Sequence, residues 1–239
     1  MVPCCLEKGQ LRKSCWGRCK WIYLKRAIYS VGNLPFLSKK DCIGVSSLRK
    51  SNRGFQLIRL FDFAFALLGL VFGAPVFVVL TVIGLFDTGS PIFRQERVGR
   101  YKQPFTLVKF RTMKKDTASV ASHLASSSSI TPFGHFLRRT KLDELPQLWN
   151  VLTGEMSLVG PRPGLFNQEE LIEARDRFGV FAVRPGITGL SQVNEIDMST
   201  PELLAETDAK MIAEMSVSNY FKYIFQTVAG KGSGDRVKG

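Results

Sequence analysis

The chain has 239 residues, 45% of them hydrophobic, enough for one folded domain with appendages and too apolar for a solvated, disordered polymer. A net charge of +13 with a pI near 9.8 calls for an anionic partner, either nucleic acid or a membrane surface. Helix-turn-helix, zinc-finger and RNA-binding motifs are missing, so no nucleic acid is expected as a partner.

The charge is concentrated at one end. Residues 1–59 hold thirteen Lys or Arg against only Glu7 and Asp41, so this part carries +11 of the +13 and runs straight into an apolar stretch. Near an anionic leaflet each such cation is worth about 1 kcal/mol, and the block reads as a membrane address. All five cysteines (Cys4, Cys5, Cys15, Cys19, Cys42) fall in the same region. An odd number confined to one end argues against a disulfide framework, and no histidine stands nearby to complete a zinc site. Residues 1–53 are expected to form a basic, poorly ordered leader.

From Phe63 to Phe86 the chain carries no charge, long enough for a membrane helix of about 20 residues. Pro75 sits at its midpoint, where it removes a backbone donor and favours a kink. Arginines and lysines flank the stretch on both sides, continuing with Arg94, Arg97, Arg100, Lys102, Lys109 and Arg111. Positive flanks favour the cytoplasm, which places both ends on one side if the segment turns back at Pro75. An ordinary spanning helix with a tolerated proline fits the residues as well.

Beyond it, residues 91–99 and 104–113 read as two short strands joined by a turn. Alternation in the second puts Phe105, Leu107, Lys109 and Arg111 on one face. Residues 116–131, with serine at 126–129, read as a polar loop. A short helical stretch carrying Arg138 and Arg139 follows, and Pro146 then requires the next helix to begin near Leu142 or Asp143. Asp143 and Glu144 thus fall in a first helical turn, where acidic residues complement the dipole for structural reasons alone. Two loops alter that reading: Gly160-Pro-Arg162-Pro-Gly164 and Val183-Arg184-Pro-Gly-Ile-Thr-Gly189. An arginine before proline is held extended, and its guanidinium loses little entropy when it forks onto a phosphate. The alternative is a pair of turns whose arginines face water. Thr200-Pro201 starts a further helix, and a last one carries Val217, Tyr220, Phe221, Ile224, Phe225 and Val228 on one face, suited to a core or to a lipid interface.

Six ordered blocks closely resemble the bacterial sugar transferase family, the monotopic polyprenyl-phosphate phosphoglycosyl transferases. They are Leu60-Phe-Asp62, Phe93-Arg-Gln-Glu-Arg-Val-Gly99, Phe105-Thr-Leu-Val-Lys-Phe-Arg-Thr-Met113, the stretch from Leu137 to Asn150, Gly154-Glu-Met-Ser-Leu-Val-Gly-Pro-Arg-Pro163, and the stretch from Val183 to Asn194. The resemblance is to the short form of the family. It implies transfer of a sugar-1-phosphate from a UDP-sugar to polyprenyl phosphate with release of UMP, the first membrane step of a surface glycan pathway. It also implies Mg²⁺, a re-entrant membrane helix and an Asp-Glu dyad, here Asp143 and Glu144. There are departures: Ala74-Pro75 stands where the family often has Ser-Pro, and Glu195 where a glycine commonly follows Gln-Val-Asn.

On that resemblance Asp143 is the expected nucleophile, since a carboxylate can form an acyl-phosphate. Glu144 is expected to hold the metal beside Asp143 or to act as base. Lys109, Arg111, Arg138, Arg139, Arg162 and Arg184 are expected to bind phosphate. The expected fold is an α+β, mostly helical, membrane-associated domain with a re-entrant helix kinked at Pro75. The expected parts are a leader (1–53), the membrane helix (54–87), a catalytic domain (88–199) and C-terminal amphipathic helices (200–239), on the cytoplasmic face of the bacterial inner membrane. A rival from another class is a membrane-tethered module that binds lipid phosphates or nucleic acid without chemistry, in which Asp143 and Glu144 would be dispensable.

Overall fold

The computed structural model describes residues 44–115, 117 and 127–232, with side chains from residue 54 onward. The chain divides into two units, Met1–Leu48 and Arg49–Gly239. The cysteine-bearing leader and most of the expected 116–131 loop lie outside the described residues.

Helix α1 spans Gly44–Thr88 and continues through Pro75 without a break in the helix. From Gly54 to Thr88 it is long and apolar enough to cross a membrane, and few of its side chains are buried. Phe72 and Phe86 are 78% and 88% exposed, and Val71, Val78 and Leu85 lie open beside them. So large a continuous apolar surface is foreign to a water-soluble domain.

The buried minority of α1 side chains clamps it along the body at both ends. Ile58 packs with Val159, Met211, Tyr220 and Tyr223. Ala66 sits against Phe105, Leu107, Val151 and Met156, and Leu80 against Phe110 and Leu137. Gly69 lets the Leu148 side chain come close, since a Cβ there would meet its Cδ1 at 2.8 Å. One carboxylate fixes the near end. Asp62, 2% exposed, accepts from Ser157 Oγ (3.0 Å), the Leu158 amide (2.9 Å) and Tyr220 Oη (3.0 Å). At the far end Thr131 Oγ1 donates to Asp87 Oδ2 at 2.7 Å.

Strands β1 (Ile92–Val98) and β2 (Pro104–Phe110) pair antiparallel, as their alternation requires. Tyr101 and Lys102 take positive φ to close the turn between them. Phe105, Leu107 and Lys109 all point inward, but the strand ends at Phe110, so Arg111 does not share their face. Helix α2 (Pro132–Thr140) is capped by Thr131 Oγ1 and ends at Lys141, which adopts the left-handed region at φ 58°.

The helix expected to begin near Leu142 starts later. Leu142–Glu144 forms a 3-10 turn and α3 occupies Gln147–Thr153. Pro146 has no N–H to offer the Leu142 carbonyl, so Leu145 closes on Leu142 and Leu148 on Leu145 instead.

Strand β3 (Ser157–Val159) lies parallel to β4 (Gly186–Thr188), with α4 (Glu169–Arg177) in the connection between them. Gly160 and Gly186 permit the pairing: a Cβ on Gly186 would lie 2.0 Å from the Gly160 nitrogen. Helices α5 (Leu190–Val193), α6 (Pro201–Ala213) and α7 (Val217–Val228) complete the body. The expected apolar stripe of α7 divides. Tyr220 is buried and Phe221 and Ile224 pack against the core, whereas Phe225 and Val228 are exposed.

Glu195 has φ 59°, which accounts for the glycine common at this place in the resembling family. Glu195→Gly is expected to raise stability by about 0.5–1 kcal/mol, read as a higher Tm. Gly186→Ala is expected to abolish folding, because the β3–β4 backbones cannot part without losing the pairing. A lower Tm for the first, or a folded second variant, would contradict this account of the two positions.

Candidate active site

The 3-10 turn places Asp143 inward at 4% exposure, next to Glu144. It arises locally from two signals, left-handed Lys141 before it and Pro146 after it. Glu144 Oε1 accepts from Arg162 Nη2 at 2.9 Å. Arg162 then forms one wall of a pocket together with Arg97, Leu107, Lys109, Gln147, Pro163 and Gly186. Three of those seven residues are cationic, so the pocket favours an anion with several oxygens.

The loop carrying Arg162 is held with unusual completeness. Prolines at 161 and 163 supply no amides, so the carbonyls of the segment must find donors elsewhere. Four consecutive ones do. Gly186 N donates to Pro161 O at 2.9 Å, and Arg175 Nη1 to Arg162 O at 2.8 Å. Arg97 Nη1 donates to Pro163 O at 3.2 Å, and Val98 N to Gly164 O at 3.0 Å.

Of the residues expected from sequence, Lys109 and Arg162 line this pocket, Lys109 being 8% exposed, and Glu144 joins through Arg162 with Asp143 next to it in the chain. The others point elsewhere. Arg111 Nε donates to Ser90 O at 2.9 Å, with its guanidinium 5.4 Å from the Phe93 ring. Arg138 Nε donates to Thr112 Oγ1 at 2.9 Å, and Arg139 faces outward. Arg184 turns to the end of α3, where its Nε donates to Gly154 O at 2.7 Å. Burial, with Arg59 and Arg100 nearby, pushes the Arg184 guanidinium below the usual arginine range.

Three contributors were missed in the sequence. Arg97 occupies an inward position of β1 opposite Phe105, a placement its strand alternation already carried. Gln147, 4% exposed, lies one helical turn after Asp143, a spacing that puts both on one side. Lys141 donates to the Thr227 and Lys231 carbonyls at 3.3 and 2.8 Å, at the negative end of α7. Burial pushes its ammonium below the usual lysine range, an effect Glu144 opposes.

Among the described residues no three His, Cys, Asp or Glu side chains gather. Mg²⁺ does not need such a cage. It commonly uses one or two carboxylates and completes its shell with substrate phosphates and water, a demand the adjacent Asp143 and Glu144 fit.

The family model described as bacterial sugar transferase matches residues 54–231. The chain belongs to this family. The match begins where α1 turns apolar and extends through α7. A UDP-galactose-lipid carrier transferase of Erwinia amylovora is 36% identical over 200 residues, which cover 77% of this chain and 42% of the relative. A putative undecaprenyl-phosphate N-acetylgalactosaminyl 1-phosphate transferase of Bacillus subtilis is 43% identical over 117 residues, 48% of this chain and 65% of the relative. The UDP-glucose:undecaprenyl-phosphate glucose-1-phosphate transferase of Escherichia coli is 38% identical over 182 residues, 72% of this chain and 39% of the relative. The chain thus spans less than two thirds of the length of each of these three proteins.

The position of Arg184 predicts a structural role for it. Arg184→Lys should lower stability by about 1.5 kcal/mol through loss of its bond at the end of α3, a few degrees in Tm. An unchanged Tm with lost activity would show that this arginine serves the substrate instead.

Proposed function

We propose that this sugar transferase moves a sugar-1-phosphate from a UDP-sugar to polyprenyl phosphate at the inner face of the bacterial plasma membrane, releasing UMP. The observation that carries the reading is the buried Asp143 beside the Glu144–Arg162 pair, whose arginine lines a cationic pocket, on a body clamped along an apolar helix. The relatives named for undecaprenyl-phosphate sugar-1-phosphate transfer support the same chemistry.

In this reading an Asp143 carboxylate oxygen attacks the β-phosphorus of the UDP-sugar. The bond from that phosphorus to the oxygen bridging to the α-phosphate breaks, and UMP leaves with the electron pair. The sugar-phosphate is then esterified to Asp143 as an acyl-phosphate. A phosphate oxygen of the polyprenyl phosphate attacks the same phosphorus, forms the diphosphate and returns Asp143 as a carboxylate. Arg162, Lys109 and Arg97 face the transferring group and offset the charge on its oxygens. Glu144 fixes the direction of Arg162 and stands beside Asp143 as the second carboxylate for a metal. Mg²⁺ bound there would neutralise diphosphate charge.

The contacts of α1 favour insertion into one leaflet. Ile58, Ala66 and Leu80 are 7%, 0% and 5% exposed because the body covers them, so one face of α1 meets the body near both ends of its apolar stretch, whereas a spanning helix would carry the body at one end only. With basic residues on both flanks, a bend at Pro75 would return the helix to the cytoplasmic side. The lipid substrate would then enter along α1 toward the pocket.

Purified protein given a panel of UDP-sugars, Mg²⁺ and undecaprenyl phosphate is expected to release UMP with one or a few donors. Asp143→Asn is expected to keep its Tm and lose turnover by at least about a thousandfold, since an amide cannot serve as the nucleophile. Release of UDP would mean that the sugar moves without its phosphate. Sustained UMP release by Asp143→Asn would rule out this residue as the nucleophile.

For topology, Phe55→Cys and Gln103→Cys, each in a background without the native cysteines, should both resist a membrane-impermeant thiol reagent added to whole cells. Both should react in inside-out vesicles. Labelling of one of them from outside would establish a spanning helix.

A further inference from the structure

The Arg162 loop has one holder that the proposed reaction does not use. Arg175, on α4, is 3% exposed and spends its whole guanidinium. Its Nε and Nη2 donate to Asp208 Oδ2 at 3.1 and 2.7 Å, and its Nη1 to the Arg162 carbonyl at 2.8 Å. Asp208, on α6 and 0% exposed, also accepts from Ser191 Oγ on α5. Ser191, Asp208 and Arg175 therefore form a buried line from three helices that ends on the backbone of the residue gripping Glu144.

A buried ion pair alone is weak evidence for stability, because two desolvated charges often do no better than apolar residues of the same size. What apolar residues could not supply is the third bond. The Arg162 carbonyl lies between two prolines, so no neighbouring amide is available to anchor it. Only a forked side chain can hold a carboxylate on one edge and this carbonyl on the other. Lysine, with a single nitrogen on a flexible stem, cannot keep all three bonds.

Resting on the proposed reaction, we infer that Arg175 is a positioning residue: held by Asp208 and Ser191, it fixes the Arg162 backbone so that the Arg162 guanidinium meets Glu144 and the transferring phosphate in register. It touches no reacting atom and acts only through Arg162.

The test combines Arg175→Lys, Arg162→Ala and the double variant of the full chain, with Leu204→Val as a buried α6 control outside the network. Arg175→Lys is expected to lower kcat for UMP release by about tenfold or more, with KM changed less than about twofold. In the Arg162→Ala background it should cause no further loss, since its route of action is already gone. Independently of activity, phenylglyoxal modification of Arg162, followed by peptide mass spectrometry, should accelerate several-fold in Arg175→Lys and not in Leu204→Val. Additive losses in the double variant, or unchanged Arg162 reactivity, would overturn the inference. If Arg175→Lys fails to fold, Arg175→Met with Asp208→Leu removes both charges together and is judged by the same readouts. If the wild type releases no UMP from any donor, the proposed reaction fails, and Arg162 reactivity alone decides the positioning role.

Discussion

The structure depends on a single buried carboxylate at the joint between a long apolar helix and a polar body. Asp62 stands at the start of the uncharged stretch of α1 and gathers donors from β3 and α7. An unpaired buried carboxylate would cost several kcal/mol, so the three donors and nearby Arg59 must stay in place for the ion to remain there. That requirement fixes both the rotation and the height of α1 relative to the body. Burial and the Asp62 charge together push the Tyr220 hydroxyl well above its ordinary range, so it remains a donor at any physiological pH. Every apolar contact further along α1, from Ala66 to Leu80, inherits its register from this point.

From that joint the site follows in order. The strand whose Phe105 and Leu107 pack with Ala66 of α1 also presents Lys109 to the pocket. The body thus meets its apolar helix and its cationic pocket through two parts of the same short sheet. The proposed transfer from a water-soluble nucleotide sugar to a lipid phosphate needs this closeness. Its acceptor cannot leave the bilayer, and its donor cannot enter.

Much of this was legible in the sequence, for a physical reason in each case. Period-two alternation gave β1 and β2, and a proline before a glutamate gave the start of α6, whereas the helix expected from Leu142 became a 3-10 turn because Pro146 withholds its donor. What was not legible depends on distant partners. The parallel pairing of β3 and β4 rests on Gly160 and Gly186 approaching each other, which no local pattern announces. Arg162 and Arg184 share the same Arg-Pro-Gly tripeptide yet end differently. The first has its own carbonyl anchored and its side chain aimed at Glu144, while the second supplies a donor to the end of α3. Local sequence sets the backbone of both, and the nearest unsatisfied acceptor decides where each guanidinium goes.

The central claim is that Asp143 becomes covalently attached to the transferring group. Mass spectrometry of the purified protein, quenched in acid after incubation with a reactive UDP-sugar and Mg²⁺ but no polyprenyl phosphate, tests it directly. The account predicts a mass increase equal to one sugar-phosphate, mapped to the peptide containing Asp143 and discharged on addition of undecaprenyl phosphate. An unmodified protein under conditions that support turnover, or an adduct on another residue, would contradict it.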